Sequence, residues 1–153
     1  MTVRAMEGSR TRWARWLVGS VVLLVVIDVV GGSIAIATDV NDGAEAWGPD
    51  ARLAAPWQMI LFQVLLMGVA ISRWRRVALG GAVVLAAAAL VSAISGFFDG
   101  GFAAGELTGW HIAFQTLLIA WTGVVGGLAL AHVVALVRRP SAGTAPTHGR
   151  RFA

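Results

Sequence analysis

Four long apolar runs dominate this chain and limit it to folds that can bury or immerse them. They cover 17–37, 54–72, 77–98 and 111–137. Each reaches the roughly 18 residues at which an apolar helix becomes able to cross a bilayer. A helix buried in a water-soluble fold seldom runs so long without a polar face. Within hydrocarbon the backbone must satisfy its own hydrogen bonds, so spanning segments are helices or closed barrels, and runs of this length belong to helices. The sequence therefore predicts an all-α membrane protein, a bundle of four transmembrane helices. Composition agrees: 58% of the 153 residues are hydrophobic and 13% are charged, where soluble domains hold about half and a quarter.

The charges sort by side. Arg4, Arg10, Arg12 and Arg15 precede the first run, and Arg73, Arg75 and Arg76 fill the turn between the second and third. Arg138, Arg139, Arg150 and Arg151 follow the fourth. The other two connections hold Asp39, Asp42, Glu45, Asp50, Asp99 and Glu106, with Arg52 as their only basic residue. The positive-inside rule then places both termini in the cytoplasm. The pI near 11.5 is read as this topology signal, and no nucleic-acid partner is expected. The expected partners are the lipid bilayer and either other membrane proteins or a second copy of the chain. Every basic residue is Arg, and Ala, Gly and Val abound, as in GC-rich bacterial coding. The expected location is thus a bacterial cytoplasmic (plasma) membrane. Trp13, Trp16, Trp57, Trp74 and Trp110 fall at the ends of runs, where an amphipathic ring suits the membrane interface.

Three segments follow: a basic cytoplasmic stretch at 1–16, the four-helix domain at 17–137, and a basic cytoplasmic tail at 138–153. The tail carries Pro140, Gly143, Pro146 and Gly149 and is expected to be disordered. The first run has a rival reading as a signal peptide, with Ala35, Ile36 and Ala37 as a small-x-small cleavage site. The halves also echo each other. A run ending near Asp39 or Asp99 is followed by Trp57 or Trp110, then by Phe62-Gln63 or Phe114-Gln115. A parallel two-helix repeat would relate Asp39 to Asp99 and Gln63 to Gln115 about an axis along the membrane normal.

Asp28 is the sharpest anomaly, lying roughly 16 Å from the Arg-flanked end of its run at 1.5 Å per residue. A carboxylate at that depth costs several kcal/mol unless it faces protein or water, or is protonated. It reads either as a proton or cation site, or as a structural group bonded to a neighbouring helix, with Gln63 at a matching depth. Gln63 and Gln115 suit interhelical hydrogen bonds. Gln115 with Asp39 and Asp99 could instead line an outer vestibule. Gly123, Gly127 and Ala131 form one small-residue stripe, and Ala88, Ser92 and Gly96 another, both suited to close helix packing.

Much chemistry is excluded. With no Cys there is no disulfide, thiolate nucleophile or cysteine-ligated metal. His111 and His132 share one run and lie roughly 30 Å apart along it, too far to ligate one haem iron. His148, in the tail, has no context. No hydrolase, zinc-protease, P-loop or dinucleotide-binding motif occurs. The expectation is a protein without metal or cofactor and not an enzyme. The reading that needs least is a non-enzymatic accessory or scaffold subunit; the alternative is a small proton- or cation-coupled permease or exporter using Asp28.

Overall fold

The computed structural model describes residues 3–43, 45–98 and 108–138, with side chains from residue 12 onward. Among these residues every regular element is a helix: α1 (Val3–Ala37), α2 (Trp57–Ala70), α3 (Arg75–Phe98) and α4 (Gly109–Val137). Three helical segments, Arg12–Ala37, Arg75–Phe98 and Gly109–Val137, are long and apolar enough to cross a membrane. Asp99, Glu106 and the tail from Arg139 onward lie outside the described residues.

Helix α2 corrects the expected second span. It has 14 residues, about 21 Å at 1.5 Å per residue, rather than the run 54–72. The cause is local. Pro56 stands at its N-cap with an extended backbone (ψ 139°). A proline disfavours helical geometry in the residue before it and brings no N–H of its own. Residues 54–56 therefore stay outside the helix, which begins only at Trp57. At the other end the Ile71 N–H donates to the Met67 carbonyl and the Ser72 N–H to the Val69 carbonyl, both at 3.1 Å, which closes the helix before Arg73.

The core is built from small and branched side chains. Leu17, Val21 and Leu24 of α1 recur at helical spacing and meet Ala70 of α2, Ala82, Leu85, Ala86 and Ala89 of α3, and Val125 and Ala129 of α4. Packing is most extensive between α3 and α4, substantial between α1 and α4 and between α2 and α3, and sparse between α1 and α2. The two halves are thus unequal: one helix pair packs along its length while the other barely touches. The small-residue stripe on α4 also lies elsewhere than expected. Gly126 is buried, and a Cβ there would sit 2.8 Å from Leu90 Cγ. Gly127 is exposed with open space where a Cβ would stand, and Gly123 has one neighbour, the Ala93 Cβ at 3.8 Å. The buried face of α4 runs through Thr122, Val125, Gly126 and Ala129 rather than through Gly123, Gly127 and Ala131. On α3, Gly96 approaches Ile119 at 3.0 Å, whereas Ala88 and Ser92 are only half-buried.

Side chains tie the helix ends. The Arg75 guanidinium donates to the Leu136 carbonyl from Nε (3.2 Å) and Nη2 (3.0 Å), and to the Val137 carbonyl at 3.3 Å. These are among the last carbonyls of α4, which have no partner within their own helix. The fully buried His132 lies with Nε2 3.2 Å from the Ala70 carbonyl at the end of α2. A carbonyl only accepts, so Nε2 carries the proton. At the opposite end of the bundle, the Thr108 N–H donates to His111 Nδ1 (3.2 Å), and His111 Nε2 lies 3.2 Å from Thr38 Oγ1. His111 is buried, with the Trp110 ring tilted beside it at 3.8 Å between ring centroids.

Candidate functional site

The connection 38–56 does not lie along the surface; it turns back into the bundle against α1. Asp39 starts the turn with φ 54°, the left-handed region that Asp tolerates better than most residues. Buried Asn41 then braces the connection, donating from Nδ2 to the Asp50 carbonyl and accepting the Arg52 N–H at Oδ1, both at 3.2 Å. Leu53 and Ala54 are buried. Two adjacent glycines of α1 make room for this approach. A Cβ on Gly31 would collide with the Leu53 carbonyl, and one on Gly32 with the Trp47 indole. The Trp47 Nε1–H donates to the Asp28 backbone carbonyl at 3.3 Å.

Asp28 receives the inner edge of this segment. Its Oδ1 accepts the Ala55 N–H at 2.8 Å, and the residue is 1% exposed. Asp28 stands nine residues before Ala37, about 13 Å from that end of α1. Non-helical backbone at such depth is tolerated only where protein or a water-lined cavity takes up its polar groups. Here the Asp28 carboxylate does so for Ala55. Gln63, the expected partner, does not bond it. The non-helical backbone before Pro56 has a free N–H at the right height, and that group has no helical alternative.

Beside this junction is a cavity of about 560 Å³. Its polar walls come from every layer: Asp28 of α1, Asp50 and Arg52 of the connection, Gln63 of α2, Ser92 and Ser95 of α3, and Gln115 and Thr122 of α4. Met59, Leu118 and Ile119 supply apolar surface. Two hydroxyls are already committed to their own helices, Ser95 to the Ser92 carbonyl (3.2 Å) and Thr122 to the Leu118 carbonyl (2.9 Å). Three buried acceptors around the cavity have no hydrogen-bond partner: Asp28 Oδ2, Gln63 Oε1 and Gln115 Oε1. A buried acceptor left unmatched costs about 1–3 kcal/mol, so their gathering at one cavity calls for a physical account.

The structure thus regroups the expected residues. Asp28 and Gln63 share a cavity, as their depths suggested. Gln115 joins them there rather than forming a vestibule with Asp39, which is exposed and does not line the cavity. Asp99 lies outside the described residues. Ser92 and Gly96, expected as packing positions, also line the cavity. Asp50, Arg52 and Thr122 are additional wall residues. The pair Pro49 and Pro56, bracketing a stretch that cannot be continuous helix, is the sequence signal that could have placed Asp50 and Arg52 near Asp28. Among the described residues no three His, Asp or Glu side chains come close enough to hold a metal ion. No protein family, curated protein or solved structure matches the chain.

Proposed function

We propose that the chain is a non-enzymatic multi-pass membrane protein that takes a small polar or cationic solute into this cavity: a proton- or cation-coupled permease or exporter in which Asp28 carries the charge. The observation that supports the reading is the division of the Asp28 carboxylate. One oxygen holds the connection 38–56 through Ala55, and the other is buried without a partner on a residue that lines the cavity. A purely structural carboxylate would be served on both sides, since a half-satisfied buried polar group costs more than an apolar replacement. The Arg-rich ends would lie in the cytoplasm of a bacterial plasma membrane and the connection 38–56 outside, so that the cavity would load from the external face.

The test is reconstitution of the full chain into proteoliposomes loaded with a proton-sensitive dye. An imposed solute gradient is expected to drive proton flux in the wild type and not in Asp28→Asn. Asparagine retains an acceptor for the Ala55 N–H but removes the ionisable group. Equal flux in both proteins, or none in either, would sink the coupled-transport reading.

A second reading, an accessory or scaffold subunit, is favoured by α2. This helix is short and has little packing against α1, and it exposes Trp57, Met59, Leu61, Phe62 and Leu65, a surface that a neighbouring membrane protein could complete. Consistent recovery of the protein alone in mild detergent would remove it.

A further inference from the structure

The order Arg-Trp occurs three times in the chain, as Arg12-Trp13, Arg15-Trp16 and Arg73-Trp74. All three copies stand at the Arg-rich end of the bundle, before Leu17 of α1 and between α2 and α3. The other tryptophans, Trp47, Trp57, Trp110 and Trp121, follow Ala46, Pro56, Gly109 and Ala120. In two of the copies the cation lies over its own neighbour. The Arg12 Cζ is 5.8 Å from the centroid of the Trp13 ring, and the Arg73 Cζ is 5.6 Å from that of Trp74. Both distances fall within the ~6 Å range of cation–π attraction.

Helix length places these pairs among lipid headgroups. The segment Arg12–Ala37 has 26 residues, about 39 Å at 1.5 Å per residue, which exceeds the ~30 Å hydrocarbon layer. Its first turn therefore extends into the headgroup region. Arg73 and Trp74 directly precede α3, whose 24 residues cover about 36 Å and overshoot the same layer. Both residues are exposed, Trp74 to 63%. An indole at this depth rests at the boundary between headgroup and acyl chain.

Charge supplies the class of partner. Among the residues with described side chains the acidic ones are Asp28, Asp39, Asp42, Glu45 and Asp50. All belong to the far half of α1 or to the connection 38–56, so no described carboxylate offsets the Arg-rich end. There Arg12, Arg15, Arg73, Arg76 and Arg138 are exposed, while Arg75 holds the carbonyls of Leu136 and Val137. A guanidinium poised over a ring still presents the N–H edges that match a phosphate bidentately. The phosphates at this depth are those of phospholipids, and uncompensated positive charge favours lipids of net negative charge.

We propose that the Arg12–Trp13 and Arg73–Trp74 pairs are headgroup clamps for anionic phospholipids. Each guanidinium takes the lipid phosphate through its N–H groups, while the indole beside it lies against the glycerol and upper acyl chain. Nothing in this depends on what the cavity holds, so transport and lipid selectivity stand or fall separately.

The full chain is reconstituted in vesicles of equal parts phosphatidylglycerol and phosphatidylcholine and extracted in mild detergent. The lipid that stays bound is then quantified by mass spectrometry. Phosphatidylglycerol is expected to be enriched at least about fivefold over the vesicle ratio, the factor for one basic residue near an anionic surface. Arg12→Gln and Arg73→Gln alter exposed residues, and each is expected to reduce the enrichment severalfold. Arg138→Gln removes the same charge where no Trp adjoins, and should reduce it less. Arg73→Lys keeps the charge without the planar fork and should fall between wild type and Arg73→Gln. Replacing chloride by inorganic phosphate at equal ionic strength should leave the enrichment unchanged. Retained lipid at the vesicle ratio, undiminished enrichment in Arg12→Gln and Arg73→Gln, or an equal effect of Arg138→Gln would each overturn the proposal. So would full enrichment in Arg73→Lys, which would leave only diffuse charge, or loss of enrichment in phosphate, which would make the ligand a free anion.

Discussion

The Asp28 carboxylate and the Ala55 backbone N–H, 27 positions apart in sequence, meet at 2.8 Å near the middle of the apolar part of α1. The contact joins the one acidic residue of the apolar runs to a non-helical stretch that descends to its depth. It should be visible in stability. Asp28→Leu removes the acceptor and leaves the Ala55 N–H buried and unmatched, for an expected loss of about 1–3 kcal/mol. Asp28→Asn keeps an oxygen in place and should lose less than about 1 kcal/mol. Unfolding of both variants in mixed micelles gives the comparison, and equal losses would mean that the hydrogen bond contributes nothing.

The packing face of α4 separates two neighbouring glycines. Gly126→Leu forces a side chain into Leu90 and α3 and should cost about 1–3 kcal/mol, the range for overpacked cores. Gly127→Leu points into open space and should stay within about 0.5 kcal/mol of the wild type. The same micelle unfolding assay ranks them. A reversed order would restore the stripe through Gly123, Gly127 and Ala131.

How much of this was legible beforehand differs by element. Apolar runs and charge sorting sufficed to place α1, α3 and α4, because helix length in hydrocarbon follows directly from hydropathy. Helix α2 was overestimated, since hydropathy does not distinguish apolar residues in a helix from those in a connection packed against one: Ala54 and Ala55 read as span yet belong to the connection, Ala54 buried and Ala55 half-buried. The packing stripe failed for a geometric reason. Around a helix, residues 123 and 127 lie about 40° apart, and 126 lies about 60° from the one and 100° from the other, so small size alone does not say which of them faces a neighbour. At the site, depth suggested a hydrogen bond between Asp28 and Gln63, whereas Asp28 bonds Ala55 and both residues line one cavity. Gln115 was assigned to an outer vestibule because the inward turn of 38–56 depends on Asn41, Trp47 and the two-glycine notch acting together, and none of these has a periodic signature.

That notch predicts a paired effect. Gly32→Val would push the Trp47 indole off α1 and break its bond to the Asp28 carbonyl, with an expected loss of about 1–3 kcal/mol. Trp47→Ala removes the obstacle. In the double variant the losses should fall short of their sum by at least about 0.5 kcal/mol, the usual sign of direct contact. Strict additivity would show that the two residues do not meet.

Helix α1 contributes Leu17, Val21 and Leu24 to the core and Asp28 to the cavity, so cleavage after Ala37 would dismantle both. The mature protein is expected to keep it. Intact mass spectrometry of membrane-extracted protein should return a product that retains residues 1–37, and a product lacking them would contradict the bundle described here.

Sidedness can be read cleanly because the chain has no cysteine of its own. Asp42→Cys is expected to react with an impermeant maleimide on intact spheroplasts, and Ser141→Cys only after lysis. The opposite pattern would invert the orientation and turn the cavity mouth toward the cytoplasm.

The shortness of α2 has a consequence for the lipid around it. Its roughly 21 Å falls short of the ~30 Å hydrocarbon thickness that α1, α3 and α4 can cross, and the difference is filled by connection rather than helix. If α2 lies in the bilayer, that flank is expected to be accommodated by local thinning, with headgroups drawn inward beside Pro56 and Trp57. Such one-sided mismatch costs fractions of a kcal/mol per ångström. It makes the seating of the connection on Asp28 sensitive to acyl-chain length, with thinner membranes holding it down and thicker ones prising it away.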